Sequence, residues 1–101
     1  MPLKTLIPDD LSPRDVRLLT ALRAMRRGDF SVSMPEDMEG SDGVMAMAFN
    51  DAVAMAAAVT EELDRLRQSV VDGNSVTDRA RVKGAEGDWA VALGGVNDII
   101  D

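Results

Sequence analysis

The chain has no cysteine and no histidine among its 101 residues. Without cysteine there is no disulfide, no thiolate nucleophile and no thiolate metal site. Without histidine the commonest general base and the commonest metal ligand are missing, as is any phospho-accepting imidazole. Aromatic residues are scarce too: Phe30, Phe49 and Trp89 are the full set. Small chains bury little surface, so this thin supply of bulk points to self-association or to a larger parent chain. Eleven basic residues face eighteen acidic ones, for a net charge of −7. That balance disfavours non-specific binding to nucleic acid or to an anionic bilayer. No uninterrupted apolar run approaches the roughly 20 residues needed to span a membrane. The first ten residues lack the apolar core of a signal peptide. The expectation is a cytoplasmic location, no membrane span and no nucleic-acid partner.

What is present is a globular composition, with 46% apolar and 29% charged residues. Residues 1–11 carry Pro2, Pro8 and Asp9-Asp10 and read as an extended arm. Ser12, Pro13 and Asp15 then form a helix start, with a capping serine, proline at the first position and an acid three residues on. The first helix is predicted over 13–27, with Leu18, Leu22 and Met25 on its apolar stripe and Gly28 as its stop. Arg23, Arg26 and Arg27 crowd its C-terminal end, where they complement the helix dipole.

Residues 29–42 read as a connector in which Phe30, Val32 and Met34 alternate with polar residues. A long helix is expected from about Gly43. Its apolar residues Met45, Phe49, Ala52, Ala56, Val59, Leu63, Leu66 and Val70 are spaced 4, 3, 4, 3, 4, 3, 4. A heptad seam of that length marks a coiled coil, and a helix carrying it needs a partner. Gly73-Asn74 ends it. A second polar connector follows, with Val76, Ala80 and Val82 as buried candidates. A last helix is predicted from about Asp88, with Trp89 as a partly buried anchor.

The two halves match in order. Leu18, Ala21, Met25 and Gly28 map onto Leu63, Leu66, Val70 and Gly73 with a shift of 45, and Phe49-Asn50-Asp51 maps onto Val96-Asn97-Asp98 with a shift of 47. Each repeat is helix, connector, helix, and the long helix serves both.

Sharper chemical readings fail on the residues. Asp37, Glu39, Ser41 and Asp42 hint at a calcium loop, but the sixth position is not glycine and the twelfth, Ala48, is not glutamate. Glu61-Glu62 and Asp9-Asp10 lack the accompanying groups that acid–base catalysis needs. No catalytic constellation, cofactor motif or metal set emerges, so the chain reads as a non-enzyme with no cofactor.

The first-helix stripe, Gly28-Asp29-Phe30, Met34, Gly43 and Ala48-Phe49-Asn50 together resemble a HAMP domain, the linker module of bacterial sensor kinases and chemoreceptors. The match is most like the tandem poly-HAMP arrays of hybrid histidine kinases. It departs at Gly40-Ser41, where the family has an acidic pair, and at Ala90 and Val96 in the second repeat.

The resemblance implies an all-α fold in which each module is a parallel four-helix bundle, a homodimeric coiled coil, with two modules stacked through a shared long helix and extended connectors. Its limits would be an arm at 1–11, a first module at 12–57 and a second at 58–101, the last expected to be cut short at its C-terminal end. The connector anchors would be Phe30 and Met34, then Val76 and Ala80. The dimer core would hold Leu18, Leu22, Met25 and the heptad seam from Met45 to Val70. The implied function is signal relay in a two-component system, from an input to an output domain of the parent chain. A passive dimerisation or docking scaffold is the alternative.

Overall fold

The computed structural model describes residues 10–73 and 77–100. Among them are three helices and no strand: α1 (Pro13–Arg26), α2 (Gly40–Val71) and α3 (Gly87–Ile100). The all-α class follows directly. The chain divides into two compact units, Met1–Val53 and Ala54–Asp101. Helix α2 contributes its first part to one and the remainder to the other.

Helix α1 starts where the local chemistry requires it. Ser12 Oγ accepts from the Asp15 amide at 3.1 Å, and Pro13 occupies the first turn. The reciprocal half of a capping box is not made, because the Asp15 carboxylate pairs with Arg14 at 3.0 Å instead. The helix closes one residue earlier than expected, at Arg26. The Gly28 amide bonds Met25 O and the Asp29 amide reaches back to Ala24 O at 3.0 Å, a Schellman-type closure with Gly28 at φ +89°.

Helix α2 begins at Gly40 rather than Gly43, and α3 at Gly87 rather than Asp88. Both first residues are glycines at positive φ, +63° and +54°, which lets the chain swing from connector into helix without a Cβ clash. Because α2 is helical from Gly40 onward, the acidic stretch around Asp42 has no calcium-loop geometry. Gly94-Gly95 does not interrupt α3.

The first unit packs Ala21, Met34 and Ala46 together, with Leu18, Val32, Met38 and Phe49 against them. The second packs Val59, Leu66, Ala80 and Leu93, with Met55, Leu63, Val82, Ala85, Val96 and Ile100 around them. Burial along α2 therefore does not follow one heptad stripe. Gly43, Ala46 and Val53 are the buried positions in the first unit, and Ala56, Val59 and Leu66 in the second. The reason is that α2 is the second helix of one unit and the first of the next, so each half turns a different set of residues inward. Trp89 is exposed, contrary to expectation. It lies in the first turn of α3, ahead of Leu93 where the core begins.

An 18-residue window of α2 has a mean hydropathy of 1.4, enough by length and composition to cross a membrane. Counting uninterrupted apolar residues misses this. Asn50 and Asp51 break the run, while the alanines and methionines around them keep the average high.

Candidate functional site

Each unit is organised around one asparagine. In the first, Asn50 projects from α2 onto the connector. Its Oδ1 accepts from the Met34 amide at 2.8 Å and its Nδ2 donates to the Met34 carbonyl at 2.8 Å. The other proton of the same Nδ2 goes to Glu36 Oε2 at 2.8 Å. In the second unit, Asn97 on α3 does the same to Ala80: it accepts from the Ala80 amide at 2.8 Å and donates to the Ala80 carbonyl at 3.1 Å. A primary amide is the one neutral side-chain group with an acceptor and a donor side by side. It therefore replaces the strand partner that an isolated extended residue lacks. Each clamp sets one side chain inward, and Met34 and Ala80 are both only 3% exposed.

The remaining sequence-predicted positions distribute unevenly. Phe30 is half-buried, and Val76 lies outside the described residues. Of the expected dimer-core residues, Ala56, Val59 and Leu66 are buried within the chain itself. Leu18, Met25, Phe49 and Leu63 are half-buried. Leu22, Met45 and Val70 are 47%, 56% and 42% exposed, and Ala52 is exposed as well.

The second unit adds an ionic cluster that sequence reading missed. Arg65 on α2 holds Glu62 through Nε and Nη2, both at 2.8 Å, and Asp78 of the connector through Nη1 at 2.8 Å. Its Nη2 also donates to the Arg79 carbonyl at 3.0 Å. Glu62 in turn accepts from the Arg81 amide at 2.7 Å. The Arg65 hydrogen bonds, then the Arg81 amide, lower the Glu62 carboxyl from its usual 4.5 to about 2. Hydrogen bonds from Arg65, then Ser69, lower Asp78 from 3.8 to about 2.

Depressed carboxylate values mean that this stabilisation is complete above the ordinary values of 4.5 and 3.8 and is lost as pH falls through about 2. The thermal midpoint, followed by circular dichroism, is expected to fall between pH 4 and pH 2, by a small amount because solvent screens these ion pairs. In Arg65→Ala, where both carboxyls revert toward ordinary values, that part of the slope should flatten.

The start of α1 is tied more simply. Arg14 Nε faces Asp42 Oδ1 at 3.4 Å, an ion pair without hydrogen-bond geometry, and Arg14 Nη2 lies 3.7 Å from Met45 Sδ. Among the described residues no cluster of three or more acids is placed to hold a metal ion, and no polar or charged residue is buried. No family model, curated protein or solved structure matches the chain.

Proposed function

We propose that the chain is a non-enzymatic relay of the HAMP kind, acting as a parallel homodimer. Two helices from each copy would form a four-helix bundle in each unit. The observation that carries this reading is the recurrence of one device: an asparagine on the second helix of each unit clamping the backbone of a buried connector residue. The exposed seam residues Leu22, Met45, Ala52 and Val70 support it, since a second copy would cover them. The polar centre of α2 favours a protein partner over a lipid environment. Asn50 spends both faces of its amide on the connector, and Asp51 beside it is exposed. The relay would work by alternative packings of the bundle, biased at one end and read at the other. It would lie on the cytoplasmic side and hand its state to an output domain of the parent chain.

Single cysteines test the dimer without interference, because the chain has none of its own. Val70→Cys and Ala52→Cys are expected to form disulfide-linked dimers under mild oxidation. Identical positions on a parallel seam bring Cα atoms within about 7 Å. Glu61→Cys, on the exposed side, is expected to stay monomeric on the same gel. Equal crosslinking at all three positions, or none at the seam, would remove the parallel bundle. A passive scaffold would crosslink too, but would show a single set of amide resonances where a relay shows a second populated packing.

A further inference from the structure

The two units are built alike but tethered differently. Aligned on Gly28 and Gly73, the α2 residues Glu62 and Arg65 correspond to Arg17 and Thr20 of α1. Aligned on the clamped residues Met34 and Ala80, Asp78 corresponds to Val32. All three partners of the ionic cluster are therefore replaced in the first unit by residues that cannot pair with one another. Arg17, Thr20 and Val32 instead line an open cleft of about 290 Å³, together with Val16, Ala21, Ala24 and Ser33.

The polar wiring differs accordingly. The second connector is bonded to both helices of its unit, to α3 through Asn97 and to α2 through Arg65 and Glu62. The first is bonded to α2 through Asn50. Among the described residues, no side-chain hydrogen bond links 30–39 to α1, and Arg14 supplies the side-chain polar contacts from α1 to α2. Beyond the Asp29 amide at the close of the helix, apolar contacts hold the connector against the rest of α1.

We propose that Arg65 is a positioning latch that fastens the second connector to α2 while Asn97 holds it to α3, whereas the unlatched first connector leaves α1 free to shift beneath it about the Arg14 end. The inference concerns a single chain and stands whether or not the chain dimerises. The latch is exposed to solvent, so salt weakens it. At 1 M ionic strength the screening length is about 3 Å, against about 10 Å at 0.1 M. The bonds from Asn50 to the Met34 backbone join neutral groups and have no such sensitivity.

Amide exchange on the full chain, resolved by residue, reads the latch directly. The Arg79 and Arg81 amides donate to Asp78 and Glu62. Arg65→Ala is expected to speed their exchange at least tenfold while leaving the Met34 amide unchanged. Arg65→Lys, which keeps the charge but not the planar fork, should recover only part of the protection. The converse graft, Arg17→Glu with Thr20→Arg and Val32→Asp, is expected to slow exchange over 32–36 at least threefold.

Should a variant fail to fold, wild-type protein moved from 0.1 M to 1 M sodium chloride gives the same reading, with faster exchange at Arg79 and Arg81 and none gained at Met34. Unchanged exchange at Arg79 and Arg81 in Arg65→Ala would overturn the proposal. So would equal acceleration in both units, which is general destabilisation, or a salt response shared by both connectors.

Discussion

Asn50→Ala is expected to lower the stability of the first unit by about 2–4 kcal/mol. Three hydrogen bonds are lost; the two to Met34 have a net value of about 1 kcal/mol each, the exposed one to Glu36 adds little, and the Met34 amide and carbonyl are left without that partner, which costs more than the bonds themselves contributed. For a domain of this size, each kcal/mol moves the thermal midpoint by about 4–8 °C. Asn50→Asp is the sharper variant. It keeps the acceptor for the Met34 amide but sets a carboxylate oxygen against the Met34 carbonyl and the Glu36 carboxylate. It should be at least as damaging at pH 7 and should recover on mild acidification, when the new carboxyl protonates. Asn97→Ala is expected to produce the corresponding loss in the second unit, with exchange rising first at Ala80. A loss of under 0.5 kcal/mol at both positions would show that the connectors are held by their apolar side chains and not by the clamps.

Gly43→Ala is expected to destabilise the same unit by about 1–3 kcal/mol, the usual range for forcing atoms into filled space. Gly43 is buried in the first turns of α2, and a Cβ there would run into the Met38 carbonyl oxygen. That atom is backbone and cannot swing aside. Alanine should otherwise favour the helix by about 1 kcal/mol over glycine, so a net loss isolates the steric term. Its counterpart by repeat is Ala90, which is exposed on α3. There the sign reverses: Ala90→Gly should cost about 1 kcal/mol from helix propensity alone. Urea titrations of the two variants check both signs, and stabilisation by Gly43→Ala would contradict the close approach of connector and helix.

Much of this fold is legible in the residues. Ser12-Pro13 announces a helix start, Gly28 and Gly73 announce stops, and the shift between halves exposes the repeat. Met34 and Ala80 stand among the buried candidates of their connectors, beside Phe30 and Val32 in one and Val76 and Val82 in the other. The exact entry into α2 is harder, because Gly40 and Gly43 are both plausible starts. Only their surroundings separate a glycine that turns the chain from one that admits a neighbour. The continuous heptad spacing from Met45 to Val70 predicts one buried stripe. Periodicity cannot tell that a helix shared by two units turns different residues inward in each half. The clamps had a visible trace, since Asn50 and Asn97 recur at the same place in the repeat. Nothing in the sequence, however, says that their amides reach a backbone 16 or 17 residues earlier. The Arg65 cluster left only ordinary surface charges to read.

Because each clamp grips backbone, it takes no account of the side chain it turns inward. One unit has methionine there and the other alanine, held by the same pair of hydrogen bonds. Alignment along the helix and spacing away from it are thus set by separate atoms. The amide fixes where the connector sits lengthwise, and the volume of the anchor sets how much room the connector leaves beneath it. Exchanging Met34 and Ala80 would alter the thickness of each unit while leaving its alignment in place, so the two dimensions of the packing can be tuned independently.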